Sequence, residues 1–159
     1  MSRPYRSWAS SEDVRVRMRG TPRRDTRPEL ALRRAVHARG LRYRVSVRPM
    51  SQLRRTADLV FTRTKVAVFL DGCFWHGCPV HYRGSVTNSE YWARKISRNK
   101  ERDADTNRRL TDAGWLVVRV WEHEDPVVAA QRVAECVLQR NQTAMKPGAD
   151  SRSESRGRS

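Results

Sequence analysis

The chain has 159 residues, 33 Lys plus Arg against 17 Asp plus Glu, and a formal net charge of +16. That length fits one domain, and a mean hydropathy of -0.81 asks for a compact core. No apolar run approaches the roughly 20 residues of a membrane helix, and the N-terminus has no apolar stretch of the kind a secretory leader carries.

The charge is uneven. Residues 1–55 hold 16 Arg against four acids, Glu12, Asp13, Asp25 and Glu29. A field of that sign favours a polyanion, most commonly nucleic acid. Codon bias explains Arg over Lys, but not base over acid. Three cysteines (Cys73, Cys78, Cys136), an odd number, point to a reducing cytoplasm rather than a disulfide scaffold.

Residues 1–9 form a basic N-terminal stretch, expected to be flexible. Ser10-Ser11-Glu12-Asp13 offers a helix cap, and a short basic helix is expected to about Arg19. Asp25 or Thr26 caps a second helix, with Pro28 and Glu29 in its first turn and Gly40 as its stop. The period then changes to two. Leu41, Tyr43, Val45 and Val47 alternate with polar residues, as in a half-buried strand.

Asp58–Phe61 is a second strand, Thr62–Lys65 a turn, and Lys65–Asp71 a third, apolar and central strand. Asn88 or Ser89 caps a long helix to about Asp112. Trp115–Trp121 is a fourth strand, and a final helix runs from Pro126 to about Gln139. Cys136 on it reads as a small core residue, and His37 on the second helix as structural or exposed. Composition predicts a disordered tail over 143–159, leaving 10–142 as one domain. The expected fold is α/β: a mixed four-stranded sheet, an antiparallel meander plus a parallel crossover strand, flanked by helices.

Chemistry concentrates in Asp71-Gly72-Cys73-Phe74-Trp75-His76-Gly77-Cys78-Pro79-Val80-His81. Two thiols and two imidazoles fall within nine residues. Zinc takes four such ligands in a tetrahedron. Cys73, Cys78 and His81 supply three, while His76 and His123 both stand as candidates for the fourth.

This segment, together with Tyr91-Trp92, Lys95-Ile96, Asn99, Arg102-Asp103, Gly114-Trp115 and Arg119-Val120-Trp121-Glu122-His123, resembles the very-short-patch (Vsr) mismatch repair endonucleases. Arg24-Asp25-Thr26-Arg27-Pro28-Glu29 is similar to the same family near its N-terminus. The resemblance covers roughly residues 14–138. It implies a restriction-endonuclease-like core with structural zinc and catalytic magnesium. It also implies an enzyme that nicks one strand of duplex DNA 5′ to the thymine of a T·G mismatch left by 5-methylcytosine deamination.

Residue by residue, the resemblance implies that Asp58 binds magnesium with the backbone carbonyl of Leu70. His76 becomes the catalytic base, and Glu29 lies near the metal waters. Zinc goes to Cys73, Cys78, His81 and His123. Phe74 and Trp75 wedge into the base stack from the major groove, and Met18 enters from the minor-groove side.

Asp71 stands where family members vary; it can bind metal, bind a metal water or orient His76. Lys95 and Asn99, one helical turn apart, are candidate base or phosphate contacts. The family's Gly-x-Pro turn before the aspartate is absent, replaced by Arg55-Thr56-Ala57.

The implied partner is mismatched double-stranded DNA, with repair proteins and a polymerase downstream. The protein is expected to be a monomer of the bacterial cytoplasm with no membrane partner. Two rivals remain at this level: another endonuclease on the same core, and a non-catalytic zinc module that binds DNA.

Overall fold

The structure is a computed structural model, and it describes residues 24–145. The expected N-terminal helix, Met18 and the segment from residue 146 lie outside the described residues.

Helix α1 spans Arg27–Ala38. Thr26 caps it, its side chain accepting from the Glu29 N–H, and Leu32 and Val36 are buried one turn apart. Strand β1 is Arg44–Val47, β2 is Ala57–Phe61 and β3 is Val66–Asp71. The expected first strand is shorter than its alternating pattern. β2 gives way to the turn at Thr62, so Leu41 falls opposite the turn with no ladder partner, and Tyr43, level with Phe61, also stands outside the ladder, although both still pack on the core.

Helix α2 runs Ser89–Asp112, strand β4 Leu116–Trp121 and helix α3 Pro126–Ala144. Asn88 precedes α2 in the left-handed region (φ 56°) and makes no side-chain cap. An N-cap side chain reaches the first turn from extended backbone, so the expected capping does not form. Asp125 caps α3 instead, accepting from Val127 and Val128. α3 outlasts its expected end at Gln139 and crosses the expected tail boundary, because no Gly or Pro intervenes before Pro147.

The sheet order is β1-β2-β3-β4, antiparallel between the first three strands and parallel between β3 and β4. One face buries Leu59, Phe61, Val66, Val68, Val118 and Val120 against α1 and α3. The other packs Val60, Ala67 and Phe69 against Leu110 of α2 and Trp115. Cys136 rests at the margin of the first cluster, as a small core residue does. No helix among the described residues is long and apolar enough to cross a membrane.

Parallel pairing runs in register from Val66 with Leu116 to Asp71 with Trp121. β3 and β4 therefore end side by side, and the loops that follow them share one edge of the sheet.

Candidate active site and metal centre

Two donor clusters form at that edge. The loop after β3 is stitched by hydrogen bonds from the Cys78 N–H to the Cys73 carbonyl (2.8 Å) and from the His76 N–H to the Gly72 carbonyl (3.1 Å). The Glu122 carboxylate, just past β4, accepts from the Cys73 N–H at 2.7 Å. This pins the loop beside His123.

Cys73 Sγ lies 3.1 Å from His123 Nδ1 and 3.7 Å from His81 Nδ1. Cys78 Sγ lies 3.9 Å from His81 Nδ1 and 3.8 Å from His123 Nδ1. A tetrahedron with bonds of 2.0–2.3 Å has edges of about 3.6 Å, so the four donors already stand near the corners a tetrahedral ion requires. Burial pushes the Cys73 thiol up to about 11, and Cys78 and Glu122 push the same way. A bound dication reverses that penalty. The chemistry and spacing of the set therefore fit a metal.

The second cluster lines a cleft of about 300 Å³. The Asp58 carboxylate accepts the Leu70 N–H at 2.7 Å. The β2–β3 register stops at Leu59 and Val68, so Asp58 takes over where the ladder ends. Burial pushes Asp58 up to about 6 against the pull of that N–H, with Glu29 and Asp71 adding to the rise and Arg33 opposing it. A desolvated carboxylate beside two further acids is a natural place for a hard cation. In an extended strand the N–H and carbonyl of one residue point the same way, so the Leu70 carbonyl faces this edge too.

His76 turns away from the sulfur cluster. Its Nδ1 lies 2.5 Å from Asp103 Oδ2 on α2 and 3.6 Å from Asp71 Oδ1. Asp71 is buried and pairs with Arg119 Nη1 at 2.7 Å; burial raises its carboxyl even so. Glu29 is engaged at the start of α1, accepting from the Asp25 N–H (2.7 Å) and Arg33 (3.1 Å).

The aromatic pair sits on the same loop. Trp75 is 38% exposed. It meets Phe74 edge-on at 5.4 Å, and both lean on Trp92 of α2. Lys95 and Asn99 are placed against this pair: Lys95 Nζ lies 5.6 Å from the Trp75 ring, and Asn99 donates to the Trp75 carbonyl at 2.8 Å. Gly77 completes the loop at φ +60°, where an added Cβ would stand 2.9 Å from Ile96.

Sequence reasoning assigned no role to Asp103, Arg119 or Asn107. Arg119 carried a signal, being a charge inside an otherwise apolar strand. Asp103 lies four residues beyond Asn99, on the same helix face.

The family model for DNA mismatch endonuclease Vsr matches residues 10–81. The type II nicking enzyme V.NmeDIP of Neisseria meningitidis serogroup C is 38% identical over 125 residues, 76% of this chain and 82% of that protein. The chain belongs to the Vsr family. The type II nicking enzyme V.NaeI of Lentzea aerocolonigenes is 51% identical over 110 residues, 68% of this chain and 66% of that relative, just short of two thirds of its length. The DNA mismatch endonuclease Vsr of Escherichia coli K12 is 35% identical over 106 residues, 66% of each chain. The family match takes in Glu29, Asp58, the Asp71–Cys78 segment and His81; Asp103, Arg119 and His123 lie beyond it.

Proposed function

We propose that this Vsr-family protein is a DNA endonuclease that nicks one strand 5′ to the thymine of a T·G mismatch. The observation that carries this reading is one loop serving two tasks. Residues 74–76 offer an exposed Trp75 beside a half-buried Phe74 to the duplex and, next to them, the His76 ring to the Asp58 cleft.

Magnesium suits the oxygen donors at Asp58 and the Leu70 carbonyl, and when bound it supplies Lewis acidity for the phosphate. Asp103 holds Nδ1–H of His76, which leaves Nε2 to take a proton from the attacking water. Glu29 orders water at the rim. Zinc suits the Cys73, Cys78, His81 and His123 donors, with a structural role: all four positions are taken by protein. Unstacking costs least at a mispaired step, so Phe74 and Trp75 select it energetically. The relatives named as nicking enzymes favour a single-strand cut. The protein acts in the cytoplasm as a monomer, and its nick is the start of very short patch repair by a polymerase and other repair proteins.

A labelled duplex with one T·G pair, incubated with Mg²⁺ beside a T·A control, tests the proposal. A nick beside the mismatched thymine alone is expected, lost in Asp58→Ala and His76→Ala. Cleavage of T·A at the same rate, or an unaffected Asp58→Ala, overturns it. Metal analysis of Cys78→Ser should show the loss of about one zinc per chain.

A further inference from the structure

Arg119 is the one charged side chain of β4, and its guanidinium is nearly consumed by contacts. Nη1 lies 2.7 Å from Asp71 Oδ1 and 3.3 Å from Asp103 Oδ1. Nε and Nη2 both donate to Asn107 Oδ1, at 3.2 and 3.1 Å. The group sits 4.6 Å from the Phe69 ring centroid. β4, β3 and α2 are thus tied together by one planar fork, level with His76.

Taken without Arg119, Asp71, His76 and Asp103 also have metal-like spacing, each offering an atom within 4.8 Å of the others. Arg119 is the cation already seated against the two carboxylates. Stability alone is a weak reason for such a network, because well-packed apolar side chains commonly replace a buried ion pair without loss. The geometry offers a better one. Asp103 gives Oδ1 to Arg119 and Oδ2 to His76, so the guanidinium sets the angle of the carboxylate that orients the imidazole.

We propose that Arg119 is a positioning residue for the nicking reaction: it holds Asp103 so that His76 presents its free nitrogen to the cleft, and it keeps Asp71 as its own counter-ion rather than a metal ligand. This rests on the endonuclease reading above. Arg119 touches no reacting atom and acts through Asp103.

The test is a double-mutant cycle on the T·G nicking assay under single turnover, with DNA affinity, zinc content and thermal melts measured in parallel. Arg119→Met should slow the chemical step about 100-fold with DNA affinity within about twofold. Arg119→Lys should recover part of the rate, because one ammonium at the place of Nη1 reaches both Asp71 and Asp103 but cannot hold Asn107 as well. Asp103→Asn should be similarly slow, and the double variant no more than about twofold slower than the slower single.

Multiplying losses, or a wild-type rate in Arg119→Met, overturns the inference. If Arg119→Met does not fold, Arg119→Lys and Arg119→Gln carry the same cycle. A wild-type protein that fails to nick the T·G duplex sinks the functional reading itself. A wild type that nicks beside an unimpaired Arg119→Met sinks only the role of Arg119.

Discussion

Asp58 shows what a single buried carboxylate costs and offers. Its carboxyl is pushed up from 3.8 to about 6, chiefly by burial. A raised folded value means the folded chain binds the proton more tightly than the unfolded chain does. The resulting stabilisation is complete below about pH 4 and is lost as pH rises through 6. At about 1.4 kcal/mol per pKa unit, the ionised group costs roughly 3 kcal/mol at pH 8. Asn keeps an oxygen for the Leu70 N–H and carries no charge. Asp58→Asn should therefore be inactive yet more stable than wild type in magnesium-free buffer at pH 8, and equal to it near pH 4. Urea melts at both pH values check this; equal stability at pH 8 would show that Asp58 bears no desolvation strain.

At the scale of elements, the loop between β3 and α2 contributes to both clusters, with Cys73, Cys78 and His81 to one and His76 to the other, and its shape depends on Gly77. Positive φ and the nearness of Ile96 exclude a side chain there. Lys100, also close, can swing away, but Ile96 is buried in α2 and cannot. Gly77→Ala should cost about 1–3 kcal/mol and reduce zinc retention, because Cys78 is the next residue. Denaturant melts with metal analysis read both effects, and a variant with wild-type values would show that the loop tolerates displacement from α2.

The loop also marks where the sequence was legible. The strands, their order and the dense Cys–His segment follow from period and local spacing, which act over a few residues. Asp103 and Arg119 were not visible as site residues, because their roles arise when α2 crosses the sheet and sets one face of each against His76. The end of β1 failed for a related reason: alternation reports which side faces the core, while a ladder also needs a partner strand.

For the whole molecule, the governing quantity is the charge of +16. The described residues 24–145 carry about +10 of it, and residues 146–159 contribute four basic side chains, Lys146, Arg152, Arg156 and Arg158, against Asp150 and Glu154. Each phosphate neutralised steepens the fall of log affinity with log salt by about 0.9. These added cations lie far in sequence from the wedge and the cleft, so they should add affinity without reading the mismatch. A chain ending at Met145 should bind duplex DNA more weakly at moderate salt, with a slope shallower by about 2–3, while its preference for T·G over T·A stays within about twofold of the full chain. Binding isotherms for both duplexes across a salt series decide the matter. An unchanged slope would place these cations off the DNA, and a lost preference would mean that the segment helps to read the mismatch rather than only to hold phosphate.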